Sequence, residues 1–320
     1  MDQYAIEYAL NVSDLLTTAN EELLDQLFSR ACQESGAPGF HRLYMGSYFC
    51  DRFFLGIAPA FLAAANAFCQ KHGLGLTLVV PLCSQGLLNA VKTRVEEAAA
   101  QCSELSEITV NDPAMARFAT GLPQVAVCAG RLLARSQRDP RYEELDSALQ
   151  PYALDAAAVG ALSQYAGTPL AWVEADPFAP HIGTEALAGA AKLALHLPHS
   201  LMTTGHICAA ASQGLPVAQR YRADGTCRMQ CKNAVTVHEA PMEDRTVYFT
   251  RHGRSVYFEN PNCEVQGQQP QRIIWTPADF LHSEPEPAPA AESWPADSGW
   301  PTPGEQPASG TEGGSAWDAY

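Results

Sequence analysis

Short apolar runs that alternate with longer helix-like stretches constrain this chain more than any other feature. The runs expected as strands are Ala5–Val12, Arg42–Met45, Leu76–Val80, Ile108–Val110, Val125–Cys128, Leu170–Val173 and Leu193–Leu197. Between them lie stretches expected as helices: Asn20–Cys32, Pro59–His72, Gln85–Cys102, Pro113–Thr120, Asp155–Tyr165 and Thr184–Ala191. Strand–helix alternation at this spacing predicts βαβ units on a parallel sheet. Units of this kind over roughly 200 residues predict an α/β protein with a (β/α)8-type, TIM-like barrel, complete or short of a unit. A doubly wound open sheet is the alternative. No Gly-x-Gly-x-x-Gly follows any of the runs, which argues against a dinucleotide site.

The pattern changes after Cys231. Thr246–Thr250 and Ser255–Glu259 alternate apolar with polar residues around His252-Gly253-Arg254, which predicts a hairpin. Residues 1–231 are therefore expected to form the barrel and 232–282 a small β-rich appendage. From Ser283 to Tyr320 there are seven prolines, seven acids and no Lys or Arg. Such a segment lacks the apolar surface to offset its ordering entropy and is expected to be a disordered acidic tail.

The net charge of −15 argues against direct nucleic-acid binding, which needs clustered Lys and Arg, and against docking on anionic lipid. The apolar, alanine-rich run Phe53–Cys69 carries no charge, but it contains Gly56, Pro59 and Asn66 and is as short as the shortest spans. It is expected to be a core helix, with no membrane span. The first residues carry acids and no basic segment, so no signal peptide is expected and the cytoplasm is the expected location.

Ten cysteines in 320 residues fall short of disulfide-scaffold density. Cys32, Cys69 and Cys102 lie late on expected helices among apolar neighbours and read as core filler. Cys83 and Cys128 end expected strands and read the same way. Cys263 reads as a loop thiol. Cys208, Cys227 and Cys231 differ. They sit among Gly, Arg and Gln with little apolar packing to bury a thiol, so metal or cluster ligation is the stronger reading. Soft thiolates select zinc or iron–sulfur centres. The Cys-x-x-x-Cys spacing is uncommon for zinc ribbons, which favour two intervening residues. The fourth ligand is Cys50, another cysteine, or a histidine such as His199 or His206; placement at the end of a barrel strand favours Cys50.

Other polar residues fall where expected strands end. Asn111 and Asp112 read as the start of a helix, with Asn111 also a substrate candidate. Glu174 and Asp176 are candidate acid–base or substrate groups; for Asp176, before a proline, a capping role is equally expected. Arg131 and Arg135 could hold an anionic substrate, although a solvated helix face is the commoner role. His181 reads as a loop histidine. No serine nucleophile elbow, zincin motif or phosphate-binding loop is present.

Three segments carry a family resemblance. "HRLYMGSYFCDRF", "EITVNDPAMARF" and "HLPHSLMTTGHICAAAS", followed by "GTCRMQC", resemble segments of the collagenase-like peptidase family. Within it, the arrangement of one early and three late cysteines resembles the UbiV-type iron–sulfur proteins of oxygen-independent ubiquinone hydroxylation. The resemblance implies a barrel-like fold and a 4Fe–4S cluster on Cys50, Cys208, Cys227 and Cys231. It also implies a heterodimer partner and hydroxyl transfer from an organic donor to a ubiquinone precursor or RNA-type substrate. The gap between Cys208 and Cys227 is longer than in that pattern, and "VEADPFAPHIG" has no counterpart, so cluster binding transfers better than substrate. A non-enzymatic iron–sulfur or zinc subunit with a structural, sensing or partner-binding role is the second expectation, which a filled barrel mouth would favour. Peptidase activity is the third.

Overall fold

The structure is a computed structural model that describes residues 6–133, 156–176, 190–220, 227–233, 235–241, 246–259 and 270–277. Arg135, His181, Cys263, most of the helix expected over 184–191 and the expected tail lie outside the described residues. The described residues all fall in one compact unit, Met1–Glu284.

Eight parallel strands close a barrel in the order β1-β12-β7-β6-β5-β4-β3-β2. They are β1 (Glu7–Asn11), β2 (Arg42–Gly46), β3 (Gly75–Val80), β4 (Leu105–Val110), β5 (Ala126–Ala129), β6 (Trp172–Ala175), β7 (Lys192–Leu197) and β12 (Arg272–Trp275). The helices α1 (Glu21–Ser35), α2 (Asp51–Leu55), α3 (Pro59–His72), α4 (Leu88–Gln101), α5 (Pro113–Ala119) and α6 (Ala156–Ala166) lie between them in the chain. The expected barrel is therefore complete.

Local chemistry sets several of the boundaries. Asn20 caps α1 by accepting a hydrogen bond from the Leu23 N–H at 2.9 Å. Asp112 caps α5 in the same way, from the Ala114 N–H at 2.7 Å. The apolar run Phe53–Cys69 is divided between α2 and α3, with Pro59 opening the second helix. Among the described residues no helix is long and apolar enough to cross a membrane.

Strand side chains alternate between two environments. Leu43, Leu78, Ile108, Val127, Val173 and Leu195 belong to the core outside the barrel wall, with Leu24, Phe61, Phe68 and Val91 of the helices. The other parity fills the lumen, and much of it is polar. Arg272 Nη1 and Nη2 donate to Glu107 at 2.7 and 2.9 Å, Nη1 donates to Tyr44 Oη at 2.6 Å, and the guanidinium lies 3.8 Å from the Trp172 ring centroid. Higher in the lumen, Glu174 accepts from Tyr48 Oη at 2.9 Å and from Thr109, and stands 3.1 Å from His196 Nε2.

A second sheet is antiparallel, in the order β8-β11-β10-β9. Its strands are β8 (His199–Thr204), β9 (Val235–Pro241), β10 (Thr246–His252) and β11 (Ser255–Glu259). The expected hairpin is β10–β11, paired from Phe249–Phe258 to His252–Ser255. The expected boundary between 231 and 232 does not separate the two sheets. β8 follows β7 directly, and β12 returns to the barrel, where it pairs with both β1 and β7. The β-rich region is thus an insertion between the seventh and eighth barrel strands. A parallel barrel needs a strand between β7 and β1 to satisfy both edges, and β12 supplies it.

Candidate functional site

The site forms where the inserted sheet meets the loop after β2. Asp14, just beyond β1, shapes that loop. It accepts hydrogen bonds from the Ser47 hydroxyl and, at 2.8 Å, from the Tyr48 N–H. Ser47 Oγ accepts in turn from the Cys50 N–H at 2.9 Å. Burial pushes the Asp14 carboxyl up to about 6, against the lowering effect of those two bonds. Cys50 then opens α2, its Sγ accepting from the Phe53 N–H at 3.4 Å.

Three further cysteines come from the insertion. Cys208 opens the short helix α7 (Ala209–Ser212), which follows β8. Cys227 and Cys231 flank Met229, and Cys227 Sγ accepts from the Met229 N–H at 3.4 Å. Met229 packs against α2 so closely that a side chain at Gly56 would meet its Cε at 2.7 Å. Gly253, at the β10–β11 turn, has φ +60°, and a Cβ there would stand 3.3 Å from Cys231 Cβ. The backbone of Cys231 hydrogen-bonds the buried His252. Arg254 reaches across to Asp51 at 3.3 Å and ties the sheet to α2. Asp51 also accepts from the Ser84 N–H at 2.9 Å, and these partners, opposing its burial, hold its carboxyl below the usual range.

Cys50, Cys208, Cys227 and Cys231 all line one cavity, together with Asp14, His206, His252, Arg254 and Tyr257. All four are free thiols. Burial, then the neighbouring Cys208, Cys50 and Cys227, push the Cys231 thiol up to about 12. Four thiolates facing one space repel one another, and a cationic centre would reverse that effect. The donor set is therefore chemically suited to a thiolate-bound metal centre, with two backbone N–H groups already aimed at sulfur. Among the described residues, no three His, Cys, Asp or Glu side chains converge closely enough to hold a single metal ion.

His206 lines the thiol cavity, whereas His199 is buried at the start of β8. The four substrate candidates are not brought to the cavity. Asn111 is buried: its Nδ2 donates to the Val80 carbonyl at 3.1 Å and its Oδ1 accepts from the Leu132 N–H. Arg131 is neither on a solvated helix face nor open to a substrate. It is buried, paired with Asp176, donates to the His199 carbonyl at 3.0 Å, and lies against the rings of Tyr48 and Tyr257. Asp176 also accepts from the Leu201 N–H at 2.9 Å, which locks β8 over the barrel. Glu174 lies inside the strand rather than after it, and burial pushes its carboxyl up to about 7. The reason is strand parity: Glu174 on β6 and Asp176 just past its end point the same way, inward. Tyr48, Phe49, Leu201 and Tyr257 pack together above them, so the barrel mouth is filled. Sequence reasoning missed Arg254, Gly253 and Asp14; the Gly253 turn was the available signal.

Fold and site together define a closed (β/α)8 barrel with a four-thiol cavity at one side of its C-terminal mouth. No protein-family model matches the chain, and no curated protein matches it. Several solved structures align with it, three of which follow. A D-psicose 3-epimerase from Clostridium cellulolyticum H10, with D-tagatose, shares 9% identity over 60% of this chain and 72% of its own, with a TM-score of 0.37. A D-psicose 3-epimerase in the presence of D-fructose shares 12% over 67% and 78%, also at 0.37. The spore cortex-lytic enzyme SleL of Bacillus megaterium QM B1551 shares 10% over 86% and 72%, at 0.34. Likenesses this low carry nothing about activity. The barrel stands on its own strand pairing.

Proposed function

We propose that this chain is an iron–sulfur protein, with Cys50, Cys208, Cys227 and Cys231 as the ligands of a 4Fe–4S cluster. The observation that supports the reading most is the meeting of these four thiols, drawn from the loop after β2 and from the insertion after β7, around one cavity. When bound, such a cluster supplies one-electron chemistry. The Phe53 and Met229 N–H groups would stabilise the thiolates they already face. Arg254 would offset their charge, and Tyr257 would wall the cavity from the lumen. By the family resemblance, the activity is oxygen-independent hydroxylation with an organic hydroxyl donor.

One observation favours the second reading, a non-enzymatic iron–sulfur or zinc subunit. The mouth, where barrel enzymes hold their substrates, is filled by Tyr48, Leu201, Tyr257 and the Arg131–Asp176 pair. Anaerobic purification with iron, sulfide and zinc analysis tests both readings. About four irons and four sulfides per chain, lost in Cys227→Ala, is the expected result. One zinc without sulfide would replace the cluster with a thiolate zinc site. Neither metal nor sulfide would end the reading.

A further inference from the structure

A second cavity, of about 380 Å³, lies next to the thiol site. Gly253 lines both cavities, and Ala209 and Ala210, the neighbours of Cys208, line the second. Its floor is one face of the inserted sheet, opposite the face that carries Tyr257. Arg251 on β10 pairs with Thr236 on β9, and His238 follows two residues along on the same face. Arg220 enters from the segment after α7, its Nε held by the Leu215 carbonyl at 2.5 Å. The described residues of this cavity thus include two arginines and a histidine, but no Asp or Glu. In a chain of net charge −15 that is a locally inverted charge balance.

Arg251 Nε is buried and, among the described residues, has no hydrogen-bond partner. A buried donor left unmade is costly, and a guanidinium is best satisfied by a planar pair of anionic oxygens. Burial, and then Arg251, hold the His238 imidazole below its usual pKa, so it faces the cavity as a neutral hydrogen-bonding group. The volume suits a small molecule rather than a polymer.

We propose that this cavity binds a small oxyanion, the carboxylate or phosphate group of an organic molecule. Arg251 and Arg220 grip the charge, and Thr236 and His238 hydrogen-bond it. The inference does not rest on a cluster, because the cavity uses no thiol.

Calorimetric titration of the full-length chain tests it, with inorganic phosphate in one arm, malonate in a second and uncharged malonamide in a third. Saturable one-to-one binding of an anion is expected, weakened roughly tenfold or more in Arg251→Gln and in Arg220→Gln. Phosphate alone would assign a phosphate ester, and malonate alone a carboxylate. Arg220 is exposed, so its variant keeps the test valid if Arg251→Gln misfolds by circular dichroism. Malonamide binding as well as malonate, no saturable anion binding, or unchanged affinity in folded variants would overturn the proposal.

Discussion

At the scale of single residues, backbone geometry and lumen chemistry make separate predictions. Gly253 occupies the left-handed region beside Cys231. Gly253→Ala is expected to lose about 1–2 kcal/mol to strain, read as a lower denaturation midpoint, and to displace Cys231. Glu174 titrates at about 7 in the folded protein against a usual 4.5. Between those values the folded chain binds the proton and the unfolded chain does not. The Glu174 contribution is therefore most favourable below pH 4.5 and declines as pH rises to 7. Thermal melts across pH 4–8 should show Glu174→Gln gaining on wild type as pH rises; parallel curves would refute this. Burial, and then Arg131, hold the His196 imidazole well below its usual range. Cys208, Cys227 and Cys231 were legible as a group from their company in the sequence, because Gly, Arg and Gln offer little apolar packing, although the fold buries Cys231. The roles of Arg131 and Asp176 were not, since a buried ion pair leaves no local pattern.

Among the elements, the Arg254–Asp51 pair holds the insertion to α2 across 203 positions. Arg254→Gln leaves Asp51 its Ser84 bonds and is expected to cost about 1–3 kcal/mol in chemical denaturation. Because the insertion carries three of the four thiols, the same variant should bind less iron; undiminished stability and iron would exclude the tie. The expected helices and seven of the barrel strands match the structure closely where it describes them, since caps and periodicity are local signals. α2 escaped notice because five residues make little more than one turn. β8 was hidden against β7, from which only Pro198 separates it.

For the whole molecule, closure rests on β12, which pairs with β1 and β7 and brings Arg272 into the lumen. Deleting 270–320 should leave two open strand edges and strip Glu107 of its bidentate Arg272 partner, and so abolish cooperative unfolding, whereas deleting 285–320 should preserve it. Circular dichroism melts of the two truncations decide the matter. Cooperative unfolding in the shorter one would mean that closure is dispensable.

Alternation, caps and turn residues are short-range, so the sequence by itself determined a βα-repeating barrel, most element positions and a hairpin about Gly253. It also singled out the thiols, by what surrounds them. The tertiary structure decided which strand closes the barrel, because Arg272–Trp275 is too short to declare its partners. It alone decided that Glu174 and Asp176 face inward beneath a filled mouth, since that depends on the register of neighbouring strands. It brought Cys50 to the other three through contacts that no local pattern encodes: Met229 on Gly56, Gly253 on Cys231 and Arg254 on Asp51.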